Sequence, residues 1–339
     1  MLAHTLVFIL LLNSTSQNIP PVGIVDFYGL VSITEQQARA AAQIKEGDAL
    51  PDAWPKARDE AQRRLEALPN VAQAQLQVVC CEAGKLIIYI GIREKGAITL
   101  RFRSAPHGKV HLPDKIEKAG DDYADALTKA VMKGEAGEDD SHGHSLVANA
   151  EVRAFQEGFI TYAAQNLKLL RAVLRESSDA KHRALAAEII AYAPNKKDIV
   201  KDLVYGTRDP DGGVRNNSLR ALGVLAKFAQ SSGAREIKVP LEPFVDLINS
   251  IEWTDRNKSS LALFSLTAAR DPLVLATLRR QALESLVDMS RWKSPGHAEY
   301  PFFILGRVGN IPEDEIQKAW AEGNREILIK KVLKESKQR

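Results

Sequence analysis

The stretch that most constrains the fold is residues 209–229, with the sequence DPDGGVRNNSLRALGVLAKFA. An acidic turn leads into a segment whose apolar residues recur every three to five positions, namely Val214, Leu219, Leu222, Leu225 and Phe228. This spacing places them along one side of an α-helix. A short helix with one apolar stripe is stable only when the stripe packs against neighbours. The sequence therefore predicts an array of packed helices here.

Related segments recur at residues 177–193, 253–269 and 294–309. Aligning them with 209–229 gives the anchor positions Arg183, Arg215, Asn257 and Ala298. Spacings of roughly 30 to 47 residues, each covering a helix pair, are typical of helical solenoids. Through the acidic turn, the Val-Arg pair and the ALGVLA run at 221–226, residues 151–337 resemble the HEAT-repeat family. The resemblance implies an all-α solenoid, a fold whose curved face suits a protein or peptide ligand.

Residues 22–97 show a different pattern, in which local signals predict the order β-α-α-β-β. Thr34 and Gln37 form a capping box for the first helix, and Pro55 opens the second. Alternating and β-prone runs then predict strands at 71–79 and 85–93. With Gly29 and the Glu-Gly-Asp turn at 46–48, this α+β segment resembles a POTRA domain. That family implies a periplasmic domain without catalytic chemistry, which recruits partners at a sheet edge.

Residues 1–17 combine a short apolar run with small residues at Ser14 and Ser16, as in a secretory signal peptide. The run is too short to span a bilayer, which takes about 20 residues. The alternatives are a misplaced start and an uncleaved anchor, because the segment has no Lys or Arg before the apolar run. We expect a periplasmic or secreted protein, with no transmembrane span beyond this segment.

Cys80 and Cys81 are the two cysteines of the chain and adjoin at the end of a predicted strand. Regular strand geometry points neighbouring side chains to opposite faces, so we expect no bond between them. One buried and one idle thiol is the favoured interpretation. A link between two chains through Cys81 is the alternative.

Residues 98–150 are expected to be a linker with a strand near 98–102, one helix at 121–133 and an acidic, histidine-containing segment. Its candidate metal ligands are Asp139, Asp140, His142 and His144. Carboxylates and imidazoles bind Zn²⁺, Mn²⁺ or Ca²⁺, but this spacing matches no established metal motif. A solvated linker that caps the next helix is the favoured alternative.

No nucleophile elbow, Walker-A loop or dinucleotide fingerprint occurs, and no cofactor is predicted. The net charge of +3 gives little support to nucleic-acid binding. The leading hypothesis is a non-enzymatic scaffold of the cell envelope that binds a protein or peptide partner. The alternative is a metal-binding protein or enzyme that uses residues 139–144.

The candidate partner-binding surface is the polar side of the second helices, with Arg183, Glu188, Arg215, Asn216, Arg220 and Lys258. For Arg215 a structural role is favoured over phosphate binding, because the corresponding arginine in HEAT proteins contacts acidic turns of adjacent repeats. The oligomeric state is not defined by these patterns.

Overall fold

The computed structural model describes residues 19–336, so the predicted signal segment at 1–17 lies outside the described residues. The fold is mixed α+β, with the three long strands before residue 95 and helices dominating the rest, as predicted at this coarse level. The strands are β1 (Val22–Tyr28), β2 (Val71–Glu82), β3 (Lys85–Glu94), β4 (Glu138–Asp139) and β5 (Leu146–Val147).

The helices are α1 (Glu35–Ala42), α2 (Trp54–Glu66), α3 (Asp114–Met132), α4 (Ala150–Glu176), α5 (Ala180–Ile190), α6 (Lys196–Gly206), α7 (Gly212–Ser232), α8 (Glu242–Leu247), α9 (Trp253–Leu266), α10 (Pro272–Gln281), α11 (Leu283–Ser290), α12 (Pro295–Val308), α13 (Glu313–Ala321) and α14 (Arg325–Ser336). None of the helices in the described part of the chain combines the length and apolar character needed to cross a bilayer.

The described residues form two compact units. The first comprises Leu100–Leu247 and Asn257–Ala269, and the second comprises 19–99, Ile248–Arg256 and 270–336. The second unit therefore combines the N-terminal sheet with helices from the end of the chain. The boundaries predicted from motif order, at 22–97, 98–150 and 151–337, stay a prediction.

The sheet of the second unit has the order β1-β3-β2, with β1 parallel and β2 antiparallel to the central β3. The predicted order β-α-α-β-β is confirmed. So is the capping box, in which Thr34 Oγ1 accepts from Gln37 N at 3.2 Å and Gln37 Oε1 accepts from Thr34 N at 2.9 Å. These local signals set the start of α1 without help from distant residues.

Strand β3 is buried on both faces, because Ile88, Ile90 and Ile92 alternate with Ile87 and Tyr89. Helices α1 and α2 lie in the same unit beside the sheet, and α2 packs against β2. Tyr89 points away from the isoleucine triplet and stacks on Trp253, with ring centroids 4.9 Å apart, and contacts Trp292 at 5.1 Å. Residues from the C-terminal part of the chain thus complete the core of the N-terminal sheet.

The two outer strands leave little free edge. On β1, Val22 N donates to Asp48 O at 2.9 Å, and Arg39 Nη2 donates to Val25 O at 2.9 Å. On β2, residues 76–80 are all buried, whereas Ala72 and Gln73 are exposed. Among the described residues, the accessible edge is therefore the first part of β2.

The structure joins Cys80 and Cys81 in a disulfide across a cis peptide bond. The expectation of two unlinked thiols is wrong in this structure, because it assumed regular strand geometry. The pairing of β2 with β3 is irregular at this point, with a register shift between Val79 and Glu82. Alternation of side chains therefore does not hold at the two cysteines.

The expected strand at 98–102 is absent, and in the first unit α3 begins at Asp114 rather than near residue 121. The segment before α3 instead runs along the helical turns. Arg103 N donates to Arg208 O at 2.9 Å, and Ser178 N donates to Gly108 O at 2.8 Å. Its backbone hydrogen bonds are thus made to turns between helices, which propensity-based reasoning does not detect.

Candidate functional site

Three turns share one arrangement of hydrogen bonds. In each turn, an arginine side chain donates to the backbone oxygen of the residue six positions before it. The side chain of that earlier residue accepts a hydrogen bond from the backbone N–H of the residue two positions further along the chain. In the first turn, Arg183 Nη1 donates to Ser177 O at 3.0 Å, and Asp179 N donates to Ser177 Oγ at 3.2 Å. The equivalent residues are Asp209, Asp211 and Arg215, then Ser250, Glu252 and Arg256.

The shared arrangement corrects the alignment of the third segment. Its anchor is Arg256 rather than Asn257, because Arg256 Nε donates to Ser250 O at 2.6 Å. Apolar residues alone left the register ambiguous by one position. The turn, in which a side-chain oxygen and an arginine are both required, removes the ambiguity.

Arg183 and Arg215, two of the predicted partner-binding residues, are 2% and 0% exposed. The Arg183 guanidinium binds both carboxylate oxygens of Asp209 at 2.9 Å, which ties one turn to the next. Arg215 donates to Asp209 O and lies over the ring of Phe102 at 4.0 Å. Arg183 therefore joins its own turn to the next one, whereas Arg215 donates to Asp209 O and Pro210 O within its own turn. The predicted contact of Arg215 with an adjacent turn stays a prediction.

Three other predicted residues, Glu188, Arg220 and Lys258, meet in a buried charge network of the first unit. The Arg220 guanidinium pairs with Glu188 at 3.3 Å and with Glu138 at still closer range. Tyr123 Oη donates to Glu188 Oε1 at 3.2 Å. The network joins α3, α5, α7 and the start of α9 to the β4 strand.

Lys258 is the lysine of this network, and burial disfavours its charge. The residue is 3% exposed, and its ammonium group forms no hydrogen bond or ion pair with the described residues. Burial and the nearby Arg220 charge lower the pKa of Lys258 to about 8, with partial compensation from Glu138 and Glu188. A charged lysine here is therefore destabilised relative to water.

Asn216, the last predicted partner-binding residue, is half-buried, and its Nδ2 donates to Asn217 Oδ1 at 3.0 Å. Most of the predicted set thus points into the first unit rather than to solvent. Their role in binding a partner stays a prediction. Charge reversal at Arg220 or Lys258 is a poor probe of binding, because both residues are enclosed by other charges.

The four metal-ligand candidates are not gathered around one point. Asp140 Oδ2 accepts from Lys227 at 3.0 Å, and His144 Nδ1 accepts from Lys196 at 3.0 Å. Asp139 and His142 are exposed, with 4.0 Å between Asp139 Oδ2 and His142 Nδ1. Within residues 19–336 no group of three or more potential ligands is close enough to hold an ion.

The segment of these candidates has some regular structure. It forms the hairpin of β4 and β5, in which Glu138 pairs with Val147 and Asp139 with Leu146. Burial and the Lys196 charge lower the pKa of His144 to about 4, so the imidazole is neutral at pH 7. Neutral His144 can accept the hydrogen bond from Lys196 that helps to hold the hairpin.

The first unit also has an open groove of about 460 Å³ between α6 and the segment before α8. Its walls carry three exposed lysines, Lys197, Lys201 and Lys238. None of the three forms an ion pair with any described carboxylate. The lining also includes the apolar side chains of Val200, Val204 and Pro240. The groove thus combines an aliphatic floor with unpaired positive charge.

Sequence reasoning missed this groove, although part of its signal is visible. Lys197, Val200, Lys201 and Val204 have the spacing i, i+3, i+4, i+7 of a single helix face. The opposite face of α6 carries the buried Ile199 and Leu203. The repeat pattern that stands out in the sequence lies on the second helix of each pair, whereas α6 is a first helix. The position of Lys238 could not come from spacing, because it depends on how an irregular segment packs.

No protein-family model matches the chain, and no curated protein matches it. A function for this protein therefore has to come from its own residues and geometry.

Proposed function

We propose that the protein is a non-enzymatic adaptor of the cell envelope, which binds a protein partner on a scaffold of repeated helical pairs. The observation that carries this proposal is the threefold recurrence of the turn anchored by Arg183, Arg215 and Arg256. Stacked helical repeats present extended surfaces, and such surfaces typically bind proteins or peptides. The recurrence supports the HEAT-type resemblance independently of the apolar pattern.

The POTRA-like sheet contributes a second, smaller surface to this proposal. An unpaired strand edge can bind an extended peptide through backbone hydrogen bonds. Ala72 and Gln73 at the start of β2 are the exposed part of that edge, because residues 76–80 are buried. We therefore place any edge contact at the first part of β2.

The envelope location rests on two features. Residues 1–17 have the pattern of a secretory signal, and the Cys80–Cys81 disulfide is favoured in an oxidising compartment. A reducing cytoplasm keeps most thiols unlinked. Both features favour a periplasmic or secreted protein.

Crosslinking in intact cells tests the adaptor proposal. Tagged full-length protein, treated with a short amine-reactive crosslinker, should yield one or a few discrete protein adducts by mass spectrometry. A tagged, unrelated exported protein at the same level serves as control. Recovery of the same adducts with both baits, or of none with this protein, would contradict the proposal.

The alternative, a metal-binding protein or enzyme that uses residues 139–144, predicts a bound ion. Asp140 and His144 already contact lysines, which disfavours cation binding between them. Elemental analysis of the purified full chain should find no stoichiometric metal at neutral pH. A stoichiometric metal lost in the Asp140→Asn variant would favour the alternative.

A further inference from the structure

We propose that the α6 groove, defined by Lys197, Val200, Lys201, Val204, Lys238 and Pro240, binds an acidic peptide segment of a partner protein that also carries an aliphatic anchor. The proposal rests on the adaptor function above and names the site and the chemistry of the partner. The groove belongs wholly to the first unit.

Charge complementarity is the first argument. The groove carries three lysines and one carboxylate, Asp198. The Asp198 side chain accepts from Asn195 Nδ2 at 2.7 Å, whereas none of the lysines pairs with a carboxylate of the described residues. The local excess of positive charge therefore attracts an anionic partner.

The floor of the groove is the second argument. Val200 and Val204 lie one turn apart on α6, and both remain partly exposed. Together with Pro240, they give the groove an aliphatic part beside its three lysines. A purely ionic ligand would leave this aliphatic part uncovered. A segment with an aliphatic residue between acidic ones would satisfy both features.

The size and form of the groove favour a peptide. Its volume of about 460 Å³ falls in the range of about 300 to 1,000 Å³ found for ligand clefts. The groove is open to solvent rather than enclosed, so a bound segment can continue beyond it. Residues 234–241 form an irregular wall, in which Ile237 N donates to Ala234 O at 3.0 Å.

The experiment uses the full chain and fluorescence anisotropy. The probe is a short labelled peptide of glutamates that flank two leucines, and the comparison probe has lysines in place of the glutamates. The acidic probe should bind and the basic probe should not. Added salt should weaken binding, because the lysines are exposed and screened by ions.

The variant Lys201→Glu/Lys238→Glu should weaken binding by about tenfold or more, since two attractions become repulsions. The control is Lys109→Glu/Lys168→Glu, which makes the same charge change at two exposed lysines elsewhere in the first unit. The control should retain affinity within about twofold, after allowing for long-range charge. A third variant, Val204→Ser, should weaken the leucine-containing probe but not a probe of glutamates alone.

Four results would overturn the assignment. The first is no binding of the acidic probe up to about 1 mM, and the second is equal binding of the basic probe. The third is an equal loss of affinity in the groove variant and the control variant. The fourth is retention of the protein on phosphatidylglycerol vesicles that depends on Lys201 and Lys238, without binding of the peptide. If cellular crosslinks persist when the probe fails, the adaptor function stands and only the groove is withdrawn. If the cellular crosslinks and the binding of the probe are both lost, the adaptor function and the groove assignment are both withdrawn.

Discussion

Replacement of Lys258 by methionine should stabilise the protein. Lys258 is 3% exposed. Methionine keeps a long side chain but removes the ammonium group, which forms no hydrogen bond with the described residues. The pKa of Lys258 falls from 10.5 to about 8 on folding, chiefly through burial and then through Arg220. Each pKa unit corresponds to about 1.4 kcal/mol, so charging this lysine costs the folded state about 3 kcal/mol more than the unfolded state.

The pH dependence follows from the same values. Between pH 8 and the unfolded pKa of 10.5, the unfolded chain holds the proton of Lys258 more often than the folded chain. The contribution of this residue to the free energy of unfolding therefore rises with pH across that window. Below pH 8 the free-energy cost of burying the charged Lys258 is fully present, and above pH 10.5 it is absent because the lysine is neutral in both states. The difference between wild type and Lys258→Met should shrink accordingly.

Urea unfolding of both full-length proteins, measured from pH 7 to pH 10.5, provides the assay. We expect Lys258→Met to be more stable at pH 7 by about 1 to 3 kcal/mol, an order-of-magnitude range that allows for interactions lost with Glu138 and Glu188. The exposed Lys168→Met is the control and should show no such convergence with pH. A less stable Lys258→Met at pH 7, or a constant difference across the pH range, would refute the buried-charge interpretation.

Three more predictions concern other parts of the fold. Arg183→Met should lower the free energy of unfolding by about 3 kcal/mol in urea titrations, because it leaves the buried Asp209 carboxylate without its bidentate partner. An unchanged urea midpoint would show that the Arg183–Asp209 ion pair does not stabilise the fold. Gly91→Ala should destabilise the protein by about 3 kcal/mol in calorimetry, because the new Cβ would lie 2.2 Å from Ile251 O. The control is Gly158→Ala, whose new Cβ meets nothing within 4 Å and which should be neutral or stabilising. Iodoacetamide without reductant should leave Cys80 and Cys81 unmodified in protein from its native compartment, and intact-mass evidence of two adducts would contradict the disulfide.

The parts of the fold that the sequence predicts well are those with local causes. Thr34 and Gln37 contact each other across three positions, and Pro55 needs only its own missing N–H to open α2. The β-α-α-β-β order follows from such signals in sequence. A turn motif with two required residues also recurs visibly, although apolar matching placed its third copy one residue late at Asn257.

The candidate site is predicted less well because its geometry depends on distant residues. Polar positions on α5, α7 and α9 were expected to face solvent. In the structure Arg220 pairs with Glu188 and with Glu138 of the β4 strand, and these contacts enclose the three side chains. A periodicity argument treats each helix alone and assigns its polar side to water. Such an argument cannot predict an ion pair between residues about 80 positions apart, such as Glu138 and Arg220. It also cannot predict that Lys238 lines the same groove as α6.

Site-specific photo-crosslinking in intact cells tests the central claim most directly. A photoreactive residue placed at Val204 in the groove, and separately at Lys168 elsewhere on the first unit, reports which surface meets a partner. The account predicts a discrete adduct from position 204, absent from 168, whose crosslinked peptide is acidic and contains an aliphatic residue. Adducts of equal yield from both positions, or an adduct from 168 alone, would contradict it.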